Sequence, residues 1–210
     1  MLDGVTDLRS VLDAVTTWCL QGVGIAWLLA AGYFAVRRDG SVKERLRQFV
    51  VTLFPEPWLI VGAPVVLVVL RLVPRSFWRS VQWWNPELAV LGTLCVVLSA
   101  ALMLWARWVI GAMWAGRPLV QEQHELCTTG PYRLVRHPIY TGMAGLALGG
   151  TLVAGFGQLL LVLAVTLAFL GWRVRVEDRL MTATFGDRFR AYRGQVRALL
   201  PLPTRDTGSL

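Results

Sequence analysis

Between Leu88 and Ile110 the only charged side chain is Arg107. At 1.5 Å of rise per residue, a helix over this stretch crosses the roughly 30 Å hydrocarbon core of a bilayer. In lipid every backbone amide needs a partner within the protein, so such a run commits the chain to helix. Composition agrees with a membrane setting. The chain is 55% hydrophobic with a mean hydropathy of +0.54, and only 16% of it is charged, against about 25% for a soluble domain.

Four further apolar segments join this one, so about five spans are expected. The first runs from about Thr17 to Val36 and ends at Arg37 and Arg38. Ser41 to Phe54 is basic, then apolar, and reads as an interfacial helix or the lead-in to the next span. The second span covers about Pro57 to Val73, with Pro64 inside it. Pro74 to Glu87 is a Trp-rich interfacial connection, and Asn85-Pro86 predicts a helix start with Asn85 as cap. Leu88 to Ile110 is the third span, with Arg107 able to snorkel. Pro138 opens the fourth, which runs to about Ala154. Gly155-Phe156-Gly157 is a tight turn, and the fifth span follows from about Gln158 to Trp172. The fourth and fifth spans form a hairpin, within which Gly145 and Gly149 are expected to pack. The tail is basic and amphipathic to about Leu200, then broken by Pro201 and Pro203.

The net charge of +8 is not read as nucleic-acid binding, because the basic residues flank apolar runs and set topology. With the N-terminus outside, most of the 21 Lys and Arg residues fall on the inner side, and only Arg9, Arg71, Arg75 and Arg79 fall outside. The expectation is an integral protein of the cell's inner membrane, N-terminus out and C-terminus in. The N-terminus lacks a basic region before its first apolar run, so that run is read as retained rather than as a cleaved signal. Cys19, Cys95 and Cys127 are scattered and form no disulfide or zinc pattern.

Polar chemistry is concentrated from His124 to Gly142, HELCTTGPYRLVRHPIYTG. Both histidines lie there, His124 and His137, with Arg133, Arg136, Tyr132 and Tyr140, and with Glu122 and Glu125 nearby. His137-Pro138 opens a helix whose first N–H groups lack partners, a setting that attracts anions. The tyrosines offer faces to a cation. A zinc set of His124, Cys127 and His137 lacks a fourth ligand. A juxtamembrane loop with only local hydrogen bonds is the plainer reading. A second polar group, Arg173 to Asp178, follows the fifth span, and by itself reads as an ion-paired helix on the headgroups. The hairpin returns it to the same surface as the first group.

Together, GPYRLVRHPIYTG and, farther on, ED-RLMTATFGDRFRAY resemble the isoprenylcysteine carboxyl methyltransferase and phospholipid methyltransferase superfamily. The resemblance covers roughly Leu88 to Pro201. It implies an all-helical membrane enzyme that uses S-adenosylmethionine without a soluble-type nucleotide domain, arranged as a two-span region (1–87), a methyltransferase core (88–201) and a tail (202–210). The cofactor would lie at the inner ends of the last spans, under the C-terminal helix. By position, His124, Leu126, Gly130, Tyr132, His137, Pro138, Tyr140, Glu177 and Asp178 would bind it. Arg173 and Glu177 would be catalytic, and no metal is implied. Two departures stand out: Asp178 replaces a second glutamate, and Phe189 stands where the family often has tyrosine.

Methyl transfer from a sulfonium needs alignment and exclusion of water. A carboxylate acceptor would want a cation such as Arg173 to hold it. An amine would want Glu177 or His124 as base, and a thiol would need deprotonation or a lowered pKa. The first expectation is carboxyl O-methylation of an isoprenoid-type or prenylated acceptor among membrane lipids, with phospholipid N-methylation or thiol S-methylation as alternatives. A NADPH-dependent membrane reductase and a non-catalytic membrane subunit are the competing classes.

Overall fold

A computed structural model describes residues 2–37, 66–111 and 126–201. Their regular structure is helical, apart from one isolated bridge between Gln82 and Phe156. Three helices are long and apolar enough to cross a membrane, within Thr6–Ala30, Pro86–Ile110 and Leu159–Phe185, and Pro138–Ala154 is a shorter apolar helix. Residues 66–72 are helical and end the segment expected as the second span. The rest of that span, and Ser41 to Phe54, lie outside the described residues.

Helix α1 (Leu2–Arg37) begins well before the Thr17 read from hydropathy. Its amphipathic first turns are polar enough to escape a hydropathy reading, yet they continue the helix without a Pro or cap to stop it. The short α2 (Arg75–Ser80) follows Pro74. Helix α3 (Pro86–Ile110) starts as the sequence predicts: Asn85 Oδ1 accepts from the Leu88 amide at 2.9 Å, and Pro86 needs no donor at the first position. Arg107, expected to snorkel, is instead buried and donates to the Gly111 carbonyl at 2.7 Å, satisfying an orphan group at the helix end.

Helix α4 (Pro138–Ala154) packs chiefly against α3. Lipid tails offer no hydrophobic drive for helix association, so close backbone approach through small residues supplies the contact. A Cβ on Gly149 would sit 2.6 Å from the Gly92 carbonyl, and one on Gly145 would sit 2.0 Å from Ser99 Oγ. The small-residue stripe therefore faces α3 and not the fifth span, correcting the expected packing within the hairpin. The spacing defines a face, but α3 is the helix that carries matching small residues, Gly92 and Ser99. Helix α1 adds Val23 to a buried cluster with Ala100, Met103, Ala106, Tyr132 and Ile139.

The predicted turn after α4 is present, with Gly155, Phe156 and Gly157 all at positive φ. It is tied to the connection before α3 by Trp83 N–H to Gly155 O (3.0 Å) and Trp84 Nε1 to Val153 O (3.1 Å). Helix α5 (Leu159–Phe185) does not end at Trp172 as expected but continues through the polar segment to Phe185. Its polar side chains there find partners in Arg136, His137 and Tyr140, just before and within the first turn of α4, so the helix has no reason to break. Gly186, at φ 52, ends it and turns the chain into α6 (Asp187–Gln195). The amphipathic C-terminal element is thus two pieces, the end of α5 and the short α6.

Candidate active site

The last turns of α5 lie beside the first turn of α4, and both polar groups identified in the sequence meet there. Glu177 and Asp178 are adjacent on α5 and together bracket one ring. His137 Nδ1 lies 3.2 Å from Glu177 Oε2, and His137 Nε2 lies 3.0 Å from Asp178 Oδ1. One α-helical turn further along α4, Tyr140 donates to Glu177 Oε1 at 2.7 Å and stacks with the His137 ring at 5.5 Å. Arg173 sits one turn before Glu177 on α5. Its Nε donates to the Tyr140 hydroxyl at 3.0 Å, and its Nη2 lies 3.3 Å from Glu177 Oε1. Arg136 Nη2 meets Asp178 Oδ2 at 2.8 Å. The side chains of Arg136, His137 and Asp178 are 8%, 10% and 9% exposed, so these charges are largely removed from water. Burial on this scale is tolerable only because each charge is paired.

Burial by itself would push the His137 pKa down. The hydrogen bonds that His137 donates to Asp178 and Glu177, with the charges of those carboxylates, outweigh that and raise it above the usual histidine value. An imidazole hydrogen-bonded to a carboxylate through each nitrogen carries a proton on each. With His137 protonated, three buried cations (Arg136, His137, Arg173) face two carboxylates. The cluster therefore favours an anion brought to it.

The segment after α6 straps across this cluster. The Arg136 and His137 amides donate to the carbonyls of Arg197 (2.8 Å) and Ala198 (3.0 Å). Thr141 Oγ1 donates to Leu199 O at 2.7 Å. Arg136 Nη1 donates to the carbonyls of Arg193 and Val196. Tyr192 OH donates to Tyr132 O at 2.6 Å, and burial raises the pKa of both phenols, which stay protonated. Phe189 is buried, edge-on to the Tyr192 ring at 6.2 Å.

Of the residues selected from sequence, His137, Tyr140, Arg173, Glu177 and Asp178 come together. Tyr132 and Pro138 are buried, Tyr132 in the core cluster behind them. Gly130, at φ 58, opens a 3-10 turn (Gly130–Arg133), where a Cβ would lie 2.9 Å from Val109. Leu126 is half-buried at the edge of the described residues, and His124 lies outside them. Arg133 is exposed. Sequence reasoning noted Arg136 only as positive charge and did not assign it a partner. Its place beside His137, on the surface to which the hairpin returns Asp178, was the available signal.

The donor set suits S-adenosylmethionine. Arg136 Nε is buried without a hydrogen-bond partner, a donor available to a carboxylate. Glu177 and Asp178 can accept from an ammonium.

Residues 88–188 match the phospholipid methyltransferase family. The chain is 28% identical over 221 residues to the methanethiol S-methyltransferase of Mycobacterium tuberculosis, covering 95% of this chain and 86% of that protein. It is 28% identical over 217 residues to the methanethiol S-methyltransferase of Pseudomonas deceptionensis, covering 90% and 79%. It is 32% identical over 119 residues to the protein-S-isoprenylcysteine O-methyltransferase of Schizosaccharomyces pombe, covering 55% of this chain and 50% of that one.

Proposed function

Because residues 88–188 place this chain in the phospholipid methyltransferase family as an integral-membrane methyltransferase, we propose that it moves a methyl group from S-adenosylmethionine to a small thiol. Similarity to the two methanethiol S-methyltransferases extends through both halves of the chain, whereas that to the prenylcysteine O-methyltransferase covers about half. This extent favours the thiol reading over the carboxylate acceptor that sequence motifs put first. The arrangement of Arg173 points the same way. The guanidinium expected to hold an acceptor carboxylate is engaged by Tyr140 and Glu177.

The cofactor supplies an activated methyl group on a sulfonium. Arg136, through its unpartnered Nε, would hold the cofactor carboxylate, and Glu177 and Asp178 its ammonium. Tyr140 and His137 fix the rotamer of Glu177 from two sides. A thiol entering this cluster ionises more readily, because the surplus cation stabilises a thiolate and burial excludes water. The thiol loses its proton to solvent as the thiolate forms in this positive field, and methyl transfer leaves a sulfide and the demethylated cofactor as products. Glu177, held against burial below the usual carboxylate range by His137, Tyr140 and Arg173, stays ionised and positions the donor. His124 and Leu126 complete the cofactor side, with Gly130, Tyr132 and Pro138 shaping the wall behind it. The chain crosses the inner membrane about five times, with its N-terminus outside and the active cluster at the cytoplasmic surface. A lipid-soluble thiol would reach the cluster from the bilayer.

An acceptor competition assay tests this reading. Purified protein receives labelled S-adenosylmethionine with methanethiol, a prenylcysteine and phosphatidylethanolamine together. Dimethyl sulfide in the headspace is the expected main product. Methyl ester or methylated phospholipid forming faster would assign the acceptor to the carboxylate or the amine instead.

A further inference from the structure

At the end of the bundle opposite the Glu177 cluster, α2, the α4–α5 turn and the start of α5 border an open cavity of about 360 Å³. Its polar lining is Arg75, Trp78, Arg79, Gln82 and Gln158, with Phe156 alongside, and no carboxylate lines it among the described residues. Arg75 and Arg79 stand one turn apart on α2, like charges on one face that repel unless an anion lies between them. Among the described residues neither has an acidic partner.

Trp78 makes an independent demand. Its Nε1 is buried and has no hydrogen-bond partner. An indole N–H can only donate, so a buried and unmatched one asks for an acceptor. Phe156 fixes the far wall. It is a bulky residue at φ 66, held there by the bridge to Gln82 and by a parallel stack on Trp83 at 6.3 Å. Residues in that region persist only where their surroundings over-determine them. The distribution of charge adds to the case. Arg9, Arg71, Arg75 and Arg79 are the basic residues that topology leaves on this side, and two of the four line this cavity.

We infer that this cavity binds a net-anionic phosphoryl group, presented by a phospholipid headgroup of the adjoining leaflet. Two guanidiniums match phosphate oxygens in number and shape. The indole N–H and the two carboxamides add neutral donors, and no carboxylate in the lining would pair with a headgroup ammonium. The cavity lies at the end of two apolar helices, α4 and α5, beside Trp78, where Trp is favoured at a membrane–water interface. This site is separate from methyl transfer.

The test uses full-length protein in nanodiscs of equal phosphatidylglycerol and phosphatidylcholine, with retained lipid counted by native mass spectrometry. The parent is expected to retain phosphatidylglycerol preferentially. The double variant Arg75→Gln/Arg79→Gln is expected to lower that retention about tenfold, and Trp78→Phe, which keeps the ring, to lower it severalfold. Methyl-transfer activity, which neither change touches, reports that the variants are folded. Saturable binding of inorganic phosphate in detergent, lost in the double variant and without lipid preference, would support the anion site and assign it to a soluble phosphate. Equal phosphatidylglycerol retention by parent and double variant would overturn the inference. So would equal retention of both lipids with no phosphate binding.

Discussion

His137 and Asp178 lie 41 positions apart in the chain and meet through a 3.0 Å contact between Nε2 and Oδ1. That contact joins the start of α4 to the polar end of α5. The other ring nitrogen faces Glu177, so one imidazolium holds two adjacent carboxylates in place.

The raised pKa of His137 sets a pH dependence of stability. A group whose folded pKa lies above its unfolded value contributes stability fully below about pH 6.5, the unfolded value. That contribution is lost as pH rises through the folded value. Thermal unfolding in detergent should therefore show a melting temperature that falls as pH climbs above about 6.5. His137→Gln should flatten the slope. A parent protein whose stability rose over this window would contradict the imidazolium assignment.

Arg136 joins α5 to the C-terminal strap through Asp178 and the carbonyls of Arg193 and Val196. Arg136→Gln leaves the buried Asp178 with one cation fewer and removes the donor to the Arg193 and Val196 carbonyls, at a cost of about 3 kcal/mol. Hydrogen exchange should rise in peptides spanning residues 193–199. Unchanged exchange there would mean that the strap is held without Arg136.

The glycine stripe separates position from composition. Gly149→Ala puts a methyl 2.6 Å from the backbone carbonyl of Gly92, which no side-chain rotation relieves. It should destabilise by about 1–3 kcal/mol. Gly150→Ala, with nothing within 4 Å, should be neutral or stabilise through helix propensity by up to about 1 kcal/mol. Comparing the two melting temperatures checks the α3–α4 contact, and equal effects would argue against it.

Tyr192→Phe removes the buried hydroxyl that donates to the Tyr132 carbonyl. The loss leaves an unsatisfied acceptor and should cost about 1–2 kcal/mol. Cofactor affinity should weaken severalfold, because α6 covers the cluster from that side. Calorimetry with S-adenosylmethionine reads the second effect.

Much of this was legible from residue order. Asn85-Pro86 marks a helix start chemically, and Gly155-Phe156-Gly157 leaves room only for a turn, so α3 and α4 were bounded closely. The pairing of the two polar groups followed from the hairpin. The continuation of α5 past Trp172 did not, because Arg173 to Asp178 is polar in sequence and becomes helix interior only through partners at the start of α4. Arg136 was under-read for the same reason, since its carbonyl acceptors are backbone atoms that no side-chain pattern reveals. The glycine stripe showed a face without naming the neighbour. A hydropathy reading also missed the first turns of α1, which are helical without being apolar.

The most direct test of the central claim is labelled methyl transfer to methanethiol by the parent and by Glu177→Gln, with Gly150→Ala as a folded control. Glu177→Gln keeps the size of the side chain but removes its charge. Transfer is expected in the parent and control, with a fall of about 100-fold in kcat for Glu177→Gln as the donor loses its alignment. Full activity in Glu177→Gln would show that methyl transfer does not run through this cluster.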